Sequence, residues 1–150
     1  MTRYLAIDLG DKRTGLAIGD DETGAVFPLE VIEAPMAEGP PGERLLAAIA
    51  RAAADHRAAA LVVGLPLNMD GTEGPRAKLV RAFAARAAQR TGAATHFQDE
   101  RLTSAAAEWE MSGSGLTRGQ KKSRRDALAA AAILRDFLSR SSPGSPPPPP

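Results

Sequence analysis

YLAIDLGDKRTGLAIGD, Tyr4 to Asp20, is the stretch whose reading decides the fold. Tyr4, Leu5, Ala6, Ile7 and Leu9 form one short apolar run, and Leu16, Ala17, Ile18 and Gly19 form a second. Gly10, Asp11, Lys12, Arg13, Thr14 and Gly15 between them supply the turn chemistry of a β-hairpin. Asp8 falls inside the first apolar run, where an unpartnered charge is costly, so its carboxylate calls for a cation, a metal or hydrogen-bond donors. An acid on a central strand beside a basic, glycine-bounded turn points to chemistry on phosphates. A carboxylate that only caps the turn is the alternative this stretch leaves open.

Outward from the hairpin, Ala25 to Ala34 alternates apolar and polar residues around Pro28, which predicts a third strand at a sheet edge. Glycines and prolines from Gly39 to Gly42 break the chain. A helix is then expected from Glu43 to His56, with Leu45, Leu46, Ile49, Ala52 and Ala53 on one stripe. Ala60 to Gly64 is a continuous apolar run, as in a strand buried on both faces and parallel to the first. The turn-rich Leu65–Pro75 segment follows at its carboxyl end, where open α/β sheets bind ligands. Pro75 opens a second helix, stopped by Gly92, with Val80, Phe83, Ala84 and Ala87 on its buried face. Thr95 to Gln98 reads as a short parallel strand and leads to Asp99, Glu100 and Arg101. Thr103 or Ser104 caps a helix to Met111 that packs Trp109 into the core, and His96 reads as structural. Ser112–Gln120 reads as a loop, and a last helix from Arg124 to Arg140 buries Leu128, Ala131, Leu134 and Leu138. This order predicts an α/β domain over residues 1–140: a mixed five-stranded sheet, three antiparallel strands then two parallel, flanked by helices. Residues 141–150, SSPGSPPPPP, read as a low-complexity Ser/Pro tail.

Composition narrows the function. Lys and Arg total 19 against 18 Asp and Glu, so any anion-binding surface is local rather than global. The absence of cysteine excludes disulfides, thiolate metal sites and cysteine nucleophiles. No signal pattern opens the chain and no apolar run approaches the ~20 residues that span a bilayer, so a soluble cytoplasmic protein without membrane partners is expected. With one Trp and one Tyr, extensive stacking of bases on aromatic platforms is not expected.

The sheet order allows Asp8 and Glu100, at the end of a neighbouring strand, to approach each other. Asp126, expected in the first turn of the last helix, is the third acid. Carboxylates from distant positions suit Mg²⁺ or Mn²⁺, which take oxygen ligands and keep waters open for a substrate phosphate. Two such ions ~3.5–4 Å apart would support phosphodiester hydrolysis. Each acid has a plainer alternative. Ser123 and Asp126 form a near capping box, and Glu100 beside Arg101 makes a surface ion pair. Asp99, adjacent to Glu100, should face away if the strand still alternates there.

Four separated segments resemble one family. AIDLGDKRTGLAIGD from Ala6, VVGLPLNMDGTEGP from Val62, DERLTS from Asp99 and KKSRRDALAAAAIL from Lys121 are similar to signature stretches of the YqgF/RuvX family, RNase H-like proteins related to the RuvC Holliday junction resolvases and assigned to pre-16S rRNA processing. The resemblance implies an RNase H-like fold and a divalent-metal nuclease whose catalytic and metal-binding triad is Asp8, Glu100 and Asp126. It implies that Lys12, Arg13 and Gly15 lie beside the metals against the phosphodiester backbone, and that Asn68, with Gly71 and Thr72, lines the groove. Arg101 and the basic run with Lys121, Lys122 and Arg124 would complete the substrate-binding set through phosphate contacts. The expected partner is precursor rRNA or branched DNA, bound by a monomer or homodimer. Gln98 departs from the family in standing where an apolar or aromatic residue is usual. A non-catalytic RNA-binding, assembly or transcription factor with the same fold is the alternative. A phosphotransferase of the actin and sugar-kinase type would need a second domain that 150 residues cannot supply.

Overall fold

The structure, a computed structural model, describes residues 1–35, 42–100 and 118–141. Five strands, β1 (Arg3–Leu9), β2 (Thr14–Asp20), β3 (Val26–Ile32), β4 (Ala60–Leu65) and β5 (Ala94–Asp99), form one sheet in the order β3-β2-β1-β4-β5. The first three pair antiparallel, and β4 and β5 add to β1 in parallel, as the sequence predicts. Pro28 lies on the edge strand, and a register shift opposite Leu16 and Ala17 accommodates it.

Alternation along β1 sorts the chain into two layers. Leu5, Ile7 and Leu9 point to one face, where they pack with Leu61, Val63 and Leu65 beneath α1 (Glu43–Asp55) and α2 (Pro75–Thr91). Leu45, Leu46, Ile49, Ala52 and Ala53 supply the buried stripe of α1, and Ala77, Val80, Phe83, Ala84 and Ala87 that of α2. Gly92 ends α2 in the left-handed conformation at φ 72°, its N–H donating to the Ala88 carbonyl. On the other face Ala6, Ala17 and Val62 meet α3 (Arg118–Ser141) through Ala130, Ala131, Ile133, Leu134 and Leu138.

Helix α3 begins at Arg118, six positions before the Arg124 expected from sequence. The glycines and serines of Ser112–Gln120 suggested a loop, whereas Arg, Gln and Lys from Arg118 onward are good helix formers with no proline among them. The basic run is therefore helical rather than part of a loop, and Ser123 is interior to the helix instead of capping it. The helix expected from Thr103 or Ser104 to Met111, with Trp109, and the tail after Ser141 lie outside the described residues.

Small residues let α3 sit low on the sheet. A Cβ on Gly15 would fall 1.9 Å from the Asp126 carbonyl oxygen and 2.9 Å from the Ala127 nitrogen, so the helix backbone rests directly on β2 there. A Cβ on Gly64 would instead meet the movable end of the Ile133 side chain at 2.6 Å. Gly15→Ala should thus destabilise by roughly 3 kcal/mol or more, because helix backbone must shift, and Gly64→Ala by about 1 kcal/mol less or better. Urea unfolding of both variants checks the ranking, and equal losses would contradict the seating of α3.

Candidate active site

Because β1, β4 and β5 are parallel, their carboxyl ends share one edge of the sheet. Asp8 lies on the α3 face of β1, opposite Gly15 of β2, and the β1–β4 register continues past Ile7 and Val63 to bring it beside Gly64. Glu100 follows β5, which is separated from β1 by β4. The expectation that Asp8 and Glu100 would occupy neighbouring strands is corrected accordingly. They meet because the intervening residue has no side chain: a Cβ on Gly64 would lie 3.4 Å from both Cγ and Cδ of Glu100, so that side chain crosses over β4 to reach Asp8.

The two carboxyl groups share a hydrogen bond. Burial first, then that bond and the charge of Glu100, push the Asp8 carboxyl up to about 9, against the opposing pull of Arg76. Asp8 is accordingly the protonated donor of the pair at neutral pH when no cation is bound. Its carboxyl is committed to Glu100, and the turn-capping alternative does not describe it.

Asp126 stands in the third turn of α3 rather than the first, beyond the reach of the helix-end dipole. The capping-box alternative falls with it. Its backbone covers Gly15, next to Asp8 in the sheet, and its Oδ2 lies 3.4 Å from Arg13 Nε. Both side chains of this ion pair keep about a quarter of their surface exposed, at 24% and 28%. Among the described residues no three Asp, Glu or His side chains come together as a metal-sized cluster. The structure therefore assembles Asp8 with Glu100 and sets Asp126 alongside, engaged by Arg13.

The remaining expected residues divide by position. Lys12 is exposed on the β1–β2 turn and Arg13 closes that turn against Asp126. Gly15 is buried beneath α3, so its role in the structure is to admit the helix. Asn68 organises its own loop: its Nδ2 donates to Thr72 Oγ1 at 3.0 Å, its backbone N–H to the Thr72 carbonyl at 2.8 Å, and Gly71 N–H to its carbonyl at 2.8 Å. Lys121, Lys122 and Arg124 lie on the N-terminal turns of α3, and Arg101 lies outside the described residues. Asp99 pairs with Leu65 and, by strand alternation, faces the α1 and α2 side.

Two features went unread in the sequence. Arg76, at the start of α2, donates from Nη2 to the Leu9 carbonyl at 3.1 Å and from Nη1 to Asp11, and its charge reaches Asp8. The only signal was its place directly after the Pro75 helix start. Gln98, 3% exposed, donates from Nε2 to Asp136 Oδ2 at 2.6 Å, which ties β5 to α3 two residues before Glu100. The polar residue at a buried strand position was visible, but its partner was not.

Comparison with known proteins bears on what this edge is for. The RuvX family, described as Holliday junction resolvase, matches residues 2–140. Proteins named "Putative pre-16S rRNA nuclease" are similar along nearly their whole length. That of Anaeromyxobacter dehalogenans is 42% identical over 94% of this chain and 99% of its own, and that of Chloroflexus aurantiacus 39% identical over 93% and 89%. Thiobacillus denitrificans has one that is 41% identical over 89% of each chain. Among solved structures, T. thermophilus RuvC in complex with Holliday junction substrate superposes with a TM-score of 0.60 at 18% identity, covering 91% of this chain and 94% of that one. That likeness establishes the RNase H-like fold expected from the sequence. Matched over almost all of its length by the family and by relatives near 40% identity, the chain belongs to the RuvX family.

Proposed function

We propose that this chain is a divalent-cation-dependent nuclease that hydrolyses phosphodiester bonds in structured nucleic acid, with the ends of precursor 16S rRNA as substrate and the cytoplasm as its place of action. The observation that carries the reading is the hydrogen-bonded Asp8–Glu100 carboxyl pair at the carboxyl ends of parallel strands. The choice of rRNA rests on the names of relatives that match nearly the full chain. Branched DNA is the second substrate, favoured by the family description and by the resemblance of the fold to RuvC. No helix among the described residues is long and apolar enough to cross a membrane.

The donor set fits a hard cation. Asp8 and Glu100 present only oxygen, and Mg²⁺ or Mn²⁺ is commonly held by one or two carboxylates, with waters and phosphate oxygens completing the shell. Asp126, paired with Arg13 in this structure, would be the third ligand of the triad. When bound, the metal supplies positive charge to the phosphate and acidifies water for attack. The protein's own groups do the rest. Asp8 would hold the cation as a carboxylate beside Glu100, Arg13 would meet a phosphate oxygen, and Lys12 extends the positive edge from the turn. Lys121, Lys122, Arg124 and Arg101 would hold the backbone of the substrate beyond the cleavage point.

Labelled precursor rRNA and a four-way DNA junction, incubated side by side with Mn²⁺, Mg²⁺ or chelator, test this reading. Cleavage of the rRNA with either metal and none in chelator is expected. Binding without cutting under every condition would favour the assembly factor instead. Asp126→Asn keeps the size of the side chain and removes its charge, so it should abolish most cleavage while nucleic-acid binding persists. Cutting near the wild-type rate at saturating Mn²⁺ would remove Asp126 from the site.

Stability against pH offers a third check. Asp8 is protonated in the folded metal-free protein up to about pH 9, whereas an unfolded Asp loses its proton near its ordinary value of 3.8. The folded state binds more protons between these limits, so metal-free stability should fall as pH rises from about 4 to about 9. Asp8→Asn should flatten that fall, and denaturant midpoints measured in chelator across the range report it. An equally steep decline in the variant would show that other groups carry the dependence.

A further inference from the structure

We infer that Arg76 is a phosphate-contacting residue of the nucleic-acid site, with Asp11 occupying its phosphate position in the free protein; the inference rests on the nuclease reading above. The two ends of the Arg76 guanidinium have unlike partners. Nη2 donates to the backbone carbonyl of Leu9, the residue after Asp8, in a partly buried bond of 3.1 Å that fixes where the group points. Nη1 pairs with the Asp11 carboxylate, whose side chain is 84% exposed, while that of Arg76 is 34% exposed. An ion pair so open to water is weak and readily exchanged. Nη1 meets a single oxygen of that carboxylate, a charge-assisted contact that a phosphate oxygen offers equally well.

The surroundings favour exchange over a purely structural staple. Asp11 is the one acid in the Asp11-Lys12-Arg13 turn, on the edge where Asp8 and Glu100 meet. Were Asp11 left facing the substrate, it would repel the same phosphates that Lys12 and Arg13 attract. Paired with Arg76, it keeps the guanidinium extended until a phosphate takes its place. Arg76 itself need not move, because the Leu9 carbonyl continues to hold it. Asp11 then swings out into water, where its exposure shows it already largely resides.

Binding of labelled single-stranded precursor rRNA, measured by anisotropy in chelator over a series of salt concentrations, tests this. Arg76→Gln should weaken binding and lower the slope of log affinity against log salt by about 0.7, the value of one lost phosphate contact. Asp11→Asn should tighten binding by about two- to five-fold, the worth of an exposed ion pair. In the Arg76→Gln background Asp11→Asn should tighten binding less, because it then relieves only the repulsion of the carboxylate and releases no guanidinium. Circular dichroism confirms folding, and should Arg76→Gln fail to fold, Asp11→Asn alone decides, because a staple predicts lower stability with unchanged affinity. An unchanged salt slope, or tightening by Asp11→Asn that is as large without Arg76 as with it, would overturn the inference. Wild-type protein that does not bind RNA would overturn the nuclease reading and this one with it. Wild-type binding that neither variant alters would overturn only this one.

Discussion

A carboxyl group in the middle of a sheet has to be met by something its own strand cannot provide, and Asp8 is met by Glu100 from two strands away. The cost of desolvating an acid there is what makes the rest of the local arrangement necessary. Gly64 clears the space over β4 that Glu100 crosses, and Gly15 lets the backbone of α3 settle at Asp126 on the other side of Asp8. Two missing side chains thus set the separation between β1, the end of β5 and α3. The Arg13–Asp126 pair and the Arg76 guanidinium then bring positive charge to the surroundings of the acids.

The parts of this arrangement that could be read beforehand are those whose signals are local. Period-two alternation in Leu5, Ile7 and Leu9, the unbroken Ala60–Gly64 run and the Pro75 and Gly92 boundaries each reflect a few adjacent residues. The sheet built from them agrees in topology with expectation. Asp8 was conspicuous because a charge in an apolar run violates a local rule. What escaped was relational. The intervening position of β4, the start of α3 and the partner of Arg76 depend on contacts between segments far apart in the chain. A basic, glycine-containing stretch has the composition of a loop, yet continuity with the apolar face of Leu128, Ala131 and Leu134 carries the helix back to Arg118.

Gln98 illustrates how a buried polar residue on a strand is compensated from a distant element. A buried amide without a partner would be destabilising, and here Asp136 accepts its hydrogen bond while Arg140, one turn on, lies 3.8 Å from the same carboxylate oxygen. Beside this polar link, the His96, Tyr4 and Phe137 rings stack edgewise or tilted, with centroids 5.2–6.2 Å apart. His96 therefore has aromatic neighbours that its sequence context did not reveal. Apolar and polar contacts together fasten β5 to α3 just ahead of the acid that β5 delivers.

Helix α3 serves both as the cover of one sheet face and as the carrier of Asp126. During synthesis the ribosome releases Asp8 and Glu100 long before it releases this helix. Until α3 docks, Ala6, Ala17 and Val62 lack their cover and Gly15 faces no backbone. A nascent chain beside the translating ribosome consequently holds only two of its acids, on a half-covered sheet.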